Sequence, residues 1–284
     1  MKTVSIASVL AILAGGMFAP IVIAAERVPL SQVSHIHGIA ADPATPGAVY
    51  LATHYGLYRA LPDGSAERIS QTRDDFMGFT PHPADPQVFF ASGHPQGGGN
   101  LGIIRSADGG VTWGKLAPGV KGPVDFHAMD VSKGNPQVMY GVHGGLQVSR
   151  DGGKTWAMVG PAPEGLLDLA IGTKDPDLLY AATKVQLLIS RDGGRSWAPA
   201  HTVNRPATMV DVASDGTVHA YLYGHGLART QEGSPAWSKL GELPGENAML
   251  HFSAGRDALY AVRQDSAVLK SADGGKTWQP LAGR

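Results

Sequence analysis

The chain has 284 residues, 43% of them hydrophobic and 17% charged, with a formal net charge of -1. Without a basic excess, neither nucleic acid nor an anionic membrane surface is an expected partner. Its 38 glycines and 20 prolines suit many short strands joined by tight turns, and the absence of cysteine removes disulfides, thiolate chemistry and one common metal ligand.

In chain order, residues 1–25 come first and are different in kind. Lys2 gives a short positive start, an apolar stretch runs from Val4 to Ile23, and Ala24-Ala25 offers small residues before the polar Glu26-Arg27. This pattern predicts a secretory signal peptide, hence a periplasmic or secreted protein, with residues 26–284 as a single domain. The alternative is an N-terminal membrane anchor, against which stand Gly15-Gly16, Pro20 and the small residues at the expected cut. No later segment approaches the ~18 apolar residues of a spanning helix, so no membrane span is expected after cleavage.

From residue 35 onward the chain repeats. Ser106-Ala-Asp108-Gly109-Gly110-Val-Thr112-Trp113 recurs with its glycine pair and tryptophan around Asp151, Asp192 and Asp273. A decayed copy from Thr230 to Trp237 has Glu232-Gly233 in place of Asp-Gly, and Pro62-Asp63-Gly64 is a worn turn in a first unit. The tryptophans at 113, 156, 197, 237 and 278 are 43, 41, 40 and 41 residues apart. In such a turn an Asp side chain bonds backbone N–H groups further on, paired glycines supply positive φ, and the tryptophan opens the next strand as an apolar anchor. Around each turn the pattern reads as four short strands, with Asp-Pro or Asn-Pro loops at Asp42-Pro43, Asp85-Pro86, Asn135-Pro136 and Asp175-Pro176. The prediction is an all-β, six-bladed β-propeller of four-stranded antiparallel blades at 35–70, 75–119, 125–162, 165–202, 207–243 and 248–282, with 27–33 as an added strand that helps close the ring.

These motifs resemble the BNR/Asp-box repeat propellers, which include sialidases, Vps10-type receptor domains and photosystem-assembly factors. The resemblance spans about 35 to 282 and implies that the Asp box joins the third and fourth strands, on the rim away from the binding face. By that reading Asp108, Asp151, Asp192 and Asp273 are structural, and the motif carries no function of its own.

In a propeller the start of each innermost strand and the turn between its second and third strands approach the central opening on one side. Eight of the 11 histidines fall in these two columns: His35, His37, His54, His94, His127, His143, His225 and His251. Neutral imidazoles converging on one rim call for a shared metal ion. Met77, Met129, Met209 and Met249 share the first column; Met77 is the candidate soft ligand, and plain core packing is the alternative for each. Blade four contributes Leu167, Asp168 and Lys184 and no histidine, so the site is densest on blades one to three. The expected cofactor is copper, with zinc as the alternative, and the expected role is periplasmic copper handling or metalloprotein maturation.

Two other readings stay open. A sialidase-like glycoside hydrolase would need an arginine triad, yet Arg105, Arg150 and Arg191 recur beside the Asp boxes and the Arg-Ile-Pro motif of sialidases is absent. Asp75, Asp125, Asp168 and Asp211 suit either a paired-carboxylate site or the orientation of histidines. A non-enzymatic scaffold for a client protein is the third reading, with the insertion from Pro95 to Asn100 beside His94 as a candidate mobile or partner loop.

Overall fold

The computed structural model describes residues 26–245 and 248–282; the expected signal peptide lies outside them. Six antiparallel sheets follow one another along the chain, five of four strands and the first of five. The inner strands are Ile36–Ala41, Asp75–Pro81, Met129–Val131, Leu166–Ile171, Ala207–Val212 and Met249–Ala254. Each touches the next and the sixth touches the first, so the sheets form a closed ring, a six-bladed β-propeller. Strands between two blades are buried on both faces, which is why Leu179–Thr183 is apolar at nearly every position.

The Asp boxes join third to fourth strands. In blade three the buried Ser149 hydroxyl donates to Asp151 Oδ1 (2.8 Å) and accepts from Gly153 N (2.9 Å). The Asp151 carboxylate in turn accepts from Thr155 N (2.9 Å) and Thr155 Oγ1 (2.6 Å). Trp156 closes the turn by donating Nε1–H to Gly153 O (2.9 Å), and its ring packs on Phe126. Ser149→Ala removes the buried centre of this network and is expected to cost about 1–2 kcal/mol, seen as a lower denaturation midpoint at unchanged slope.

The second glycine of the box also serves the neighbouring blade. Gly194 has φ +87°, and a Cβ there would lie 2.1 Å from Leu146 Cδ2 of blade three; the same relation joins Gly110 to Leu57. A side chain would close the socket into which the preceding blade inserts its leucine. The decayed box of blade five has another use: the longer Glu232 reaches blade four and accepts from Thr173 N (2.7 Å) and Lys174 N (3.1 Å).

At the ring's junction, Arg27–Pro29 pairs antiparallel with Ser65–Glu67 on the outer edge of blade one. Val28 and Leu30 then pack on a core cluster shared by blade-one Val49 and Leu51 and blade-six Tyr260 and Val262. Ala41 N also donates to Ser253 Oγ of blade six (2.9 Å). The added strand thus covers the junction from outside rather than bridging two sheets.

Candidate metal centre

The antiparallel meander puts the Asp boxes at one end of the ring and the turns between second and third strands at the other. His54, His143 and His225 lie in those turns, while His94 ends the second strand of blade two. Beside them His37 and His251 stand on inner strands, with His35 and His127 just ahead of theirs. Two carboxylates organise four of these imidazoles.

The first group is His37, His54 and Asp75, and the second is His94, Asp125 and His127; within each, one donor atom per residue lies within 4.8 Å of the others. In the first, His54 Nδ1–H donates to Asp75 Oδ2 (2.8 Å), while His37 Nε2 is 3.7 Å from Asp75 Oδ1. Those last two atoms are buried and have no hydrogen-bond partner. A 3.7 Å gap is too long for a hydrogen bond, yet it is within the span of two donors each about 2.1 Å from one ion, at an angle near trigonal.

In the second group, His127 Nε2 (2.7 Å) and His94 Nε2 (3.1 Å) both face Asp125 Oδ2, and Asp125 Oδ1 is buried without a partner. His94 Nδ1 is 2.8 Å from Gly99 O, and a carbonyl only accepts, so Nδ1 carries the proton. The Nε2 of a neutral His94 therefore turns a lone pair on a carboxylate oxygen, a contact that requires a shared proton or a cation. The Pro95–Asn100 insertion supplies this orienting carbonyl. It is tied down by Gln96 N donating to Asp74 Oδ1 (3.2 Å) and Asn100 Nδ2 donating to Pro123 O (3.1 Å).

The remaining predicted residues flank these groups. His35 has φ 51°, a region sparsely used by non-glycine residues, and its ring lies 5.1 Å from that of His54. His143 Nδ1 is 3.1 Å from the Asp125 carbonyl oxygen. The His251 ring bonds to the Ile36 backbone and acts electrostatically on His37. His225 instead stands 5.6 Å from His201, a residue outside the predicted columns, whose ring packs at a tilt against Trp237. Met77 is buried on the inner strand of blade two, and Met209 and Met249 sit in an apolar cluster. The third member of each group is a carboxylate.

Burial, and then the neighbouring imidazoles of His54, His251, His127 and His35, push the His37 pKa down to about 4. Burial does the same to His251, also to about 4. Burial raises the Asp75 carboxyl against the pull of His54 and His94. At Asp125 burial acts upward as well, but the His127 hydrogen bond and the His127, His94 and His143 imidazoles outweigh it and hold the carboxyl low. The same hydrogen bond raises His127.

With its folded value depressed from 6.5, the neutral His251 ring contributes stability that is fully present above pH 6.5 and lost as pH falls to about 4. Relative to His251→Gln, the metal-free wild type is expected to lose at most about 3 kcal/mol over that window. Histidine NMR titrations check the premise: His251 titrating near pH 6.5 would contradict it.

A central cavity of about 700 Å³ opens from this face, lined there by His37, His127 and His251 and further in by Lys133, Asp168 and Asp211. Lys133 Nζ pairs with Asp211 Oδ1 (2.8 Å), and burial pushes Asp168 up to about 7. Asp168 and Asp130 serve the ring itself, accepting from Val210 N and Ile171 N of the next blade. The arginines beside the Asp boxes are also structural: Arg150 pairs with Asp177 (2.5 Å), and Arg191 Nη2 donates to Gly233 O (3.0 Å).

Fold and repeat define an Asp-box β-propeller, and the family comparison agrees: the BNR/Asp-box repeat matches residues 147–158. No curated protein sequence matches the chain. Among solved structures, the chain is similar to a GH74 xyloglucanase from Xanthomonas campestris at 18% identity and TM-score 0.57, covering 90% of this chain and 46% of that one. It therefore spans about half that enzyme's length. It is also similar to a gluconolactonase from Xanthomonas campestris (14% identity, TM-score 0.63, 87% and 89% covered). A third likeness is to YCF48 bound to a D1 peptide (16% identity, TM-score 0.52, 90% and 84% covered). At these identities the likeness is one of fold.

Proposed function

We propose that the chain is an exported metal-binding β-propeller that handles copper or serves metalloprotein maturation, with zinc as the alternative ion. The observation that carries this reading is the pair of groups with two imidazoles and one carboxylate each, whose buried atoms His37 Nε2, Asp75 Oδ1 and Asp125 Oδ1 lack partners. Orphaned buried polar atoms are costly in a metal-free site and become ligands in a loaded one. Nitrogen and carboxylate donors suit Cu(II) and Zn(II), whereas Cu(I) prefers sulfur, so the copper expected here is Cu(II). Equilibrium dialysis of the purified protein against Cu(I), Cu(II) and Zn(II) tests the reading. Retention of Cu(II) or Zn(II) is expected, and retention of none of the three overturns it.

A second reading is a scaffold for a client protein, and it is compatible with the first. Tyr55, Leu167, Val185 and Tyr223 are exposed large apolar side chains, and all four lie on the rim that carries the histidines. YCF48, a propeller of similar fold, is seen with a peptide bound. Glycoside hydrolysis has less support, because Asp125 is already engaged by two imidazoles; aryl-glycoside turnover lost in Asp125→Asn would restore it.

A further inference from the structure

We infer that the face holds two divalent ions at once, in unequal sites: a recessed retention site of His37, His54 and Asp75, and an outer exchange site of His94, Asp125 and His127. This deepens the metal-binding reading and rests on it. The donor sets share no residue, and each contains two imidazoles, one carboxylate and at least one buried oxygen without a partner. Neither group needs a ligand from the other to offer three donors, and three protein donors leave a coordination position open in each.

Exposure and hydrogen bonding set the order of strength. His54 and His94 are about equally exposed (42% and 41%) and both carboxylates are largely buried, so the difference lies in the remaining imidazole: His37 is 22% exposed and His127 67%. Water therefore reaches an ion on the outer site more readily. An ion entering the recessed site fills the 3.7 Å gap between His37 Nε2 and Asp75 Oδ1, and only one imidazole there, His54, already bonds the carboxylate (2.8 Å, to Oδ2). One entering the outer site must compete with contacts of 2.7 and 3.1 Å that both imidazoles already make to Asp125 Oδ2.

The sites are also close enough to influence each other. Asp75 of one site and His94 of the other are directly paired across neighbouring strands of blade two. A divalent ion beside one carboxylate leaves each loaded site with an excess positive charge, so the first ion weakens the second. The arrangement is that of a store with a more labile neighbour. The outer ion is the one available to a partner, because His127 faces solvent.

Metal titration of the apo protein, read by calorimetry and by native mass spectrometry, tests this with Cu(II) and separately with Zn(II). Two ions per chain are expected, the first bound at least about tenfold more tightly than the second. The His37→Ala/His54→Ala double variant should lose the tight step and keep the weak one, and His94→Ala/His127→Ala should do the reverse. The isosteric Asp75→Asn and Asp125→Asn variants repeat the comparison if either alanine pair fails to fold. One ion per chain, lost in both variants, overturns the two-site inference and leaves the metal-binding reading standing. Two ions of equal affinity overturn the ranking. No bound ion overturns both.

Discussion

Exchange of Gly93 for alanine is expected to destabilise the protein by on the order of 3 kcal/mol and to abolish tight metal binding at the recessed site. Gly93 has φ +119°, outside the comfortable range of any residue with a side chain, and an added Cβ would lie 2.0 Å from the Asp75 carbonyl oxygen. The obstacle is backbone, so no rotamer change relieves it. The inner strand of blade two would have to move, carrying Asp75 away from His37 and His54. Gly97, four residues on, has nothing within 4 Å of its Cβ position and provides the control. Chemical denaturation and metal titration of the two variants check the claim. A Gly93→Ala protein with wild-type stability and affinity would show that the Asp75 backbone is not held as described.

The second large effect concerns Asp75 itself and separates a functional carboxylate from a structural one. Asp75→Asn keeps the shape and removes the charge. Affinity for Cu(II) or Zn(II) at the recessed site is expected to fall on the order of 100-fold, the scale seen when groups that tune metal ligands are lost. The metal-free protein should not suffer in parallel, because burial disfavours this carboxylate and its Oδ1 has no partner. Its stability is expected to stay within about 1 kcal/mol of wild type, or to rise, as when a poorly compensated buried charge is removed. A carboxylate kept for stability would give the opposite result: a destabilised apo protein with unchanged metal affinity.

The fold was legible because its signal is periodic. Four near-complete Asp boxes and five tryptophans set the blade count and place the turns where they are found. The use of the decayed box was not legible: Glu232 reaches from blade five to Thr173 and Lys174, a contact between blades that no single repeat encodes. Nor was the second glycine's role as a socket for Leu146, since the turn's need for positive φ already accounted for that glycine.

The site was legible as columns of histidines, and six of them (His35, His37, His54, His94, His127 and His143) do gather around two carboxylates or beside them. Which carboxylates the imidazoles meet needed coordinates. Asp75 begins an inner strand, but the inner strand of blade three begins only at Met129, so Asp125 and His127 lie in a bend ahead of it. Strand alternation cannot fix side-chain directions there. His201 falls outside the two columns for a related reason. It sits in the connection from blade four to blade five, where no period constrains the path, yet it is the residue that His225 meets. The methionines carried a chemical hint toward sulfur ligation, whereas Met209 and Met249 belong to an apolar cluster.

If this face holds metal in the cell, the protein as the cell makes it carries that metal. Elemental analysis of the chain isolated from its native compartment, beside a His37→Ala/His127→Ala double variant isolated in the same way, gives the answer. Copper, or zinc in its place, is expected in stoichiometric amount in the wild type and depleted in the variant. A wild-type protein free of transition metal, or equal metal in both proteins, would contradict the metal-binding reading.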